Sequence, residues 1–244
     1  GEIFNTVEVD AEVPNGHGLT RLGVQEIINN NEGLIPTIHM ICKSELGRDK
    51  KLKQVTALSL RLTIPTEVRK NIVDTYHELE RGVPLEDKLQ EIDRLIETGV
   101  PLEHRERLQG AVKNLLLQDQ KSLASMSIGE LIKNMQIEAS LKTRLHKIYL
   151  KEGGVFILIR SSSIYEDRTE GAMAGRFVSY TYIRGRRLVL EYILRCLAYY
   201  WVEMERVDST QPIFIHLQEE ADVSMVVSSI NVINVIGEGW EEVV

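Results

Sequence analysis

Gly153-Gly154-Val155-Phe156-Ile157-Leu158-Ile159-Arg160-Ser161-Ser162-Ser163 is the stretch on which the fold turns. Behind a glycine pair, Val155 to Ile159 is apolar at every position. Such a run predicts a strand buried on both faces and central in a sheet. It breaks off at Arg160, where a turn is expected. An unpaired guanidinium is costly to bury. Its planar fork matches a phosphate, and the hydroxyls and backbone N–H groups of the serines behind it can add donors. Glu166-Asp167 opens a second reading: these carboxylates could hold Arg160 in a structural pair at the strand end, or approach a bound metal. The residues alone leave the two readings level.

Beyond this stretch, Glu170-Gly171-Ala172-Met173-Ala174-Gly175 is a small-residue loop through which backbone can approach a ligand, and Arg176 adds a second cation. Phe177 to Ile183 reads as a strand. Leu188 to Trp201 reads as a helix with Leu190, Ile193, Leu194, Leu197 and Trp201 turned inward. Strands are then expected at Pro212–Leu217, Val223–Ile230 and Val232–Ile236, closing on Gly237-Glu238-Gly239.

Upstream, residues 66–150 are helical and charged. Thr66 can cap a helix with Val68, Ile72, Val73, Tyr76 and Leu79 on one face. Gly-Val-Pro-Leu-Glu occurs at 82–86 and again at 99–103. Each copy ends one helix at Gly and starts the next at Pro. Between the copies, Leu85, Leu89, Ile92, Leu95 and Ile96 form one stripe. Further helices are expected at 103–123 and 127–150. Nearer the start, Pro14 to Gly18 reads as a turn or loop, and Leu19 to Ile28 as a short helix ended by Asn29 to Gly33. Leu34-Ile35-Pro36-Thr37-Ile38-His39-Met40-Ile41-Cys42 reads as a buried strand with Pro36 near its start. A helical block framed by strand-rich blocks is an α+β pattern.

Composition narrows the function. The chain has 244 residues, 43% of them hydrophobic and 27% charged, a globular balance that argues against disorder over the whole length. The net charge of -7 argues against a general nucleic-acid binder. No apolar run is long enough to span a membrane, and the first residues lack the pattern of a signal peptide. Cys42 and Cys196 are far apart and show no zinc spacing; they read as reduced, buried thiols of a cytoplasmic protein. His17, His39, His77, His104, His146 and His216 form no HExxH, and His216, in an apolar strand, reads as a core histidine. There is no GxSxG elbow and no GxxxxGK[ST] loop.

Several of these stretches together resemble a known family. Ile159-Arg160-Ser161-Ser162, Glu166-Asp167 and Ala174-Gly175 resemble the "VRSS-x-x-x-ED … FAG" signature of the ATP-binding domain of phosphoenolpyruvate synthase and pyruvate phosphate dikinase. Arg195-Cys196-Leu197-Ala198 with Trp201 resembles the helix that follows there. Ile213 to Glu219 resembles "VVVQEM". Ala221 to Val226 with Asn231 resembles "ADVSGV … NP", and Gly237-Glu238-Gly239 the "GLGE" turn. Gly18 to Leu22 and Gly33 to Pro36 resemble "GGK … L" and "GLPVPPGF". The order is the family's, over nearly the whole chain.

The resemblance implies an ATP-grasp-like, two-lobed α+β domain. Residues 1–205 would form the N-terminal lobe, with a helical insert at about 66–150. Residues 206–244 would begin a second lobe that is apparently truncated. Part of an ATP-dependent phosphotransferase is implied, which passes phosphate from ATP, with Mg2+, to a histidine on a separate swivelling domain; the isolated chain is not expected to complete turnover. That carrier and the nucleotide are the implied partners. Arg160, Ser161, Ser162 and Arg176 would hold the phosphates, and Leu217, Gln218 and Glu219 would form the hinge beside adenine. Glu166, Asp167 and Glu238 would give support or approach the metal. No residue stands out as catalytic. The family's lysine in "GGK" has no counterpart, Gly18 or Asn15 taking its place. An inactive regulatory or interaction module on the same fold is therefore the alternative.

Overall fold

A computed structural model describes residues 16–163, 178–207 and 213–219. Among them, one antiparallel sheet is built from β1 (Gly16–Leu19), β2 (Phe156–Ser163), β3 (Ser179–Arg184) and β4 (Ile213–Glu219), in the order β1-β4-β2-β3. The helices are α1 (Arg21–Asn29), α2 (Ile35–Lys43), α3 (Arg48–Ser59), α4 (Thr66–Gly82), α5 (Leu85–Gly99), α6 (Leu102–Leu116), α7 (Gln120–Ala124), α8 (Ile128–Asn134), α9 (Ala139–Glu152) and α10 (Arg186–Glu203). Helices with an antiparallel sheet make the class α+β, as the sequence pattern predicts.

β2 is central, between β4 and β3, but the described residues close only one of its faces. Ile157 and Ile159 are fully buried, whereas Phe156 is 45% exposed and Leu158 half-buried. The two-faced burial expected of the apolar run is thus corrected to an alternating pattern. Nor does the strand break at Arg160. It runs on to Ser163, with Arg160 opposite His216 and Ser163 opposite Ile213.

Other expectations also change. The stretch 34–42 is helix α2, with Pro36 in its first turn, where a missing N–H costs nothing. Its buried Ile38 and Cys42 lie four apart, and Met40 between them is 65% exposed. The loop expected at 14–18 becomes strand from Gly16. Helix α3 has too few apolar residues to announce itself. Thr66 begins α4 without capping it; Pro65 is the cap residue. The helices expected at 103–123 and 127–150 are four, α6 to α9. The repeated Gly-Val-Pro-Leu-Glu behaves as read: α4 and α5 end at Gly82 and Gly99, and Pro84 and Pro101 precede α5 and α6. The strands expected at 223–230 and 232–236 lie outside the described residues.

Two apolar cores result. The first joins Ile157, Ile159, Ile215 and Leu217 of the sheet to Ile193, Leu197 and Trp201 of α10, with α1 to α4 around them. The second lies within α5 to α9, around Ile92, Leu108, Val112, Leu131 and Leu145. Helix α4 therefore buries its apolar face with the sheet.

A polar seam joins the cores. Tyr76 Oη donates to the Val155 carbonyl and accepts from the Gly185 N–H, each at 3.0 Å. It thereby ties α4 to the start of β2 and to the turn into α10. Glu80, fully buried, accepts from Tyr149 Oη at 2.6 Å and sits 2.7 Å from His77 Nδ1. Gly154 has φ +113° and passes so close that a Cβ there would lie 1.9 Å from Tyr76 Oη. Glycine is required on both counts.

α8 opens with a capping box. The Glu130 N–H donates to Ser127 Oγ, and the Ser127 N–H donates to Glu130 Oε2 at 2.7 Å. Burial alone would raise the Glu130 carboxyl. The Ser127 N–H and then Arg81, 3.1 Å away, outweigh burial and bring it from 4.5 down to about 2. A depressed carboxyl stabilises above its unfolded value and loses that contribution as pH falls. Wild-type stability should therefore drop between pH 4.5 and about 2. In Glu130→Gln that part of the acid limb should be missing from denaturant melts; an unchanged limb would refute the assignment.

Candidate functional site

Because side chains alternate along a strand, the sheet sorts its residues onto two faces. Ile157, Ile159, Ser161, Ile215 and Leu217 face the first core. Phe156, Leu158, Arg160 and Ser162 of β2 face the other way, with Phe214, His216 and Gln218 of β4. Residues directly opposite in a ladder share a face. The register therefore lays one row across the sheet: Gly18 on β1, His216 on β4, Arg160 on β2 and Ser179 on β3. Arg160 and Ser179 are exposed, and His216 is half-buried. No ion pair joins Arg160 to another described residue.

The neighbouring residues shape this face. The Phe214 ring lies edge-on to His216, centroids 4.5 Å apart. It reaches over β1 because Gly18 has no side chain; a Cβ there would lie 2.0 Å from the ring. Towards the start of β2 the face turns apolar. Leu158 stands opposite Gln218, and Phe156 meets Tyr182 edge-on at 6.1 Å. Tyr182 has φ +56° where the β2–β3 register shifts, a bulge that turns its ring outward. Arg184 stacks over Phe156 at 5.0 Å and pairs with Glu91. The face thus runs from an aromatic end to the row that holds Arg160.

Burial first, and the positive charge of Arg160 second, hold the His216 imidazole below its ordinary range. It is therefore neutral at pH 7. The core role read for His216 is corrected: Ile213, Ile215 and Leu217 take the inward positions, and His216 falls on the outward parity with Phe214 and Gln218.

The sequence-derived site residues divide accordingly. Arg160 and Ser162 share the open face. Ser161 does not: it is 4% exposed, turned into the core, and its Oγ has no partner among the described residues. Its N–H donates to the Val178 carbonyl at 3.3 Å. The buried Cys196 thiol, which burial pushes up to about 12, lies against the Ser161 backbone. Leu217 is also buried, and Gln218 presents its side chain outward. Both pair with β1 on one side and β2 on the other, so their backbone groups serve the sheet; Glu219, at the strand end, pairs with Ile157 of β2. Glu166, Asp167, Arg176 and Glu238 lie outside the described residues. Sequence reasoning missed Phe214, Ser179 and the outward place of His216.

No group of three or more His, Cys, Asp or Glu residues suited to a metal occurs among the described residues. No described helix is long and apolar enough to cross a membrane. A hollow of about 500 Å³ lies elsewhere, beside Leu46, Arg48, Lys51 and Glu203. Its charges are already matched, Arg48 to Glu203 at 2.6 Å and Lys51 to the Cys42 carbonyl at 2.8 Å. The open sheet face therefore has the stronger claim to ligand chemistry.

With this geometry in view, residues 95–234 match the family model described as the AMP/ATP-binding domain of pyruvate phosphate dikinase. No curated protein and no solved structure matches the chain significantly.

Proposed function

The chain belongs to the pyruvate phosphate dikinase AMP/ATP-binding domain family, and from that premise we propose that it binds ATP on the open face of its sheet, with Arg160 gripping the phosphates. The observation that carries this reading is an exposed guanidinium in mid-sheet, on a face that grades into apolar side chains. A strand advances about 3.4 Å per residue. The Leu158–Gln218 pair, two residues from the Arg160–His216 pair, is therefore set back by roughly 7 Å. That offset suits a base beside Gln218 and Leu158 with its phosphates towards Arg160. Ser162 adds a hydroxyl on the same face. Gln218 and Glu219 would shape the hinge, with Leu217 packed behind them in the core, and Arg176 would add a further cation to the phosphates.

On this reading the domain is the ATP-grasp-like part of a phosphotransferase that passes phosphate to a histidine of a swivelling domain. The two lobes are 1–205 and a second beginning at 206. Mg2+ would neutralise phosphate charge, with Glu166, Asp167 and Glu238 as the acidic residues to test for it. The protein's own task is to bind and orient the nucleotide: the Arg160 fork fixes phosphate geometry, and the apolar end excludes water from the base.

Thermal unfolding with Mg-ATP tests the proposal. At 100 times its dissociation constant a ligand adds about 2.7 kcal/mol. A rise in melting temperature that saturates with Mg-ATP is expected; no rise at any concentration would overturn the reading. One observation favours a second reading, the inactive regulatory module: Gly18 brings no side chain, hence no second permanent cation, to the row. That module would show no nucleotide-dependent shift and a stable protein partner instead.

A further inference from the structure

We infer that His216 is a proton-linked second cation of the phosphate site, so that the chain binds a nucleoside polyphosphate more tightly as pH falls through the histidine range. This rests on the reading that the Arg160 face takes nucleotide phosphates. The ladder puts His216 directly opposite Arg160, and directly opposite residues of an antiparallel pair lie about 4.5–5.5 Å apart at Cβ. An anion centred on the Arg160 fork is therefore within reach of the imidazole.

The surroundings leave the protonation state of His216 to the ligand. From β2 it faces Arg160, with Leu158 and Ser162 to either side. From β1 it faces Gly18, which brings no side chain. On its own strand it lies between Phe214, against which its ring packs, and Gln218. Among the described residues, Arg160 is the charged group that acts on it. Without ligand, burial and this neighbouring cation favour the neutral ring, as described above. A polyphosphate between the two reverses the balance, since it neutralises Arg160 and offers oxygens to an imidazolium N–H. Binding then takes up a proton. By linkage, one proton changes affinity by up to about tenfold per pH unit between the free and bound titrations. A histidine confined to structure would show no such dependence.

Isothermal titration with Mg-ATP, whose phosphates are already ionised in this range, reads the effect between about pH 8 and about pH 6. The wild type should tighten by about tenfold on going down the range and take up a proton from buffer. His216→Gln should bind with the wild-type affinity of the alkaline end and show no slope. His216→Lys should bind with the acid-end affinity throughout. The histidine Cε1–H resonance of His216 should titrate higher in the Mg-ATP complex than in the free protein, which tests the proposal on the wild type even if a variant fails to fold. A flat wild-type profile, a slope that survives in His216→Gln, or an unmoved resonance on binding would overturn it while leaving nucleotide binding intact. Absence of Mg-ATP binding at every pH would instead overturn the reading beneath it, and this inference with it.

Discussion

Replacing Arg160 with alanine is expected to weaken Mg-ATP binding by about 2–5 kcal/mol. That corresponds to roughly 30-fold to several-thousand-fold in dissociation constant. The lower end applies to a bound phosphate that stays wet, the upper to one sealed from water. Folding should hardly change, because the side chain is exposed and has no ion-pair partner among the described residues. Surface substitutions of that kind usually stay within about 0.5 kcal/mol. Arg160→Lys should recover binding only in part, since an ammonium keeps the charge but not the bidentate fork. If Arg160 instead anchors Glu166 or Asp167, Arg160→Ala should lower stability equally with and without nucleotide. Mg-ATP titration beside denaturant melts of all three proteins separates the outcomes. Unchanged affinity with normal folding would remove Arg160 from the site.

How far the sequence foretells this architecture depends on what each stretch must satisfy. The amphipathic helices α4, α5 and α10 are legible because their apolar residues recur every three or four positions and the pattern alone fills a core. The paired Gly-Val-Pro-Leu-Glu junctions are legible because proline and glycine act through local backbone geometry. Leu34 to Cys42 misleads because its apolar residues are nearly continuous, so neither period shows. Pro36 then decides for helix, where it sits at no cost in the first turn, while a strand would lose a ladder bond. Val155 to Ile159 misleads in another way. A run apolar at every position implies two covered faces, but Phe156 and Leu158 are outward residues of an aromatic end.

The site was legible as a motif and not as a surface. Arg160 stands out by its contrast with the apolar run before it. Which of its neighbours act with it depends on strand parity and ladder register, and the register joins residues far apart in sequence. Parity takes Ser161 and Leu217 out of the open face, although they adjoin Ser162 and Gln218. Register brings His216 and Ser179 to Arg160 from β4 and β3. A strand reading of 213–219 with strict alternation would already have put His216 outward; its row partner needed the fold.

Lys88→Met is expected to lower stability by about 3–5 kcal/mol: it strands three backbone acceptors at about 1–3 kcal/mol each, offset in part by removing a buried charge. Lys88 is fully buried. Its ammonium donates to three carbonyls: Arg81 at 3.1 Å, Ala124 at 2.7 Å and Met126 at 2.9 Å. The first belongs to the last turn of α4, the second ends α7, and the third leads into α8. One cation thus satisfies helix ends that lack amide partners and carry partial negative charge. Methionine fills the space of the stem but donates nothing, and each orphaned buried acceptor costs about 1–3 kcal/mol. A second readout follows from pH. Burial holds the Lys88 ammonium below its ordinary 10.5, against the opposing pull of Glu80 and Glu130. In the window between that lowered value and 10.5 the unfolded chain binds the proton more tightly, so this residue makes stability rise with pH. Lys88→Met removes that rise. Lys121→Met, a change at an exposed lysine of α7, serves as control and should stay within about 0.5 kcal/mol of wild type. Should Lys88→Met cost less than about 1 kcal/mol, the smallest penalty for a single lost acceptor, the buried ammonium would not be what joins α4, α7 and α8.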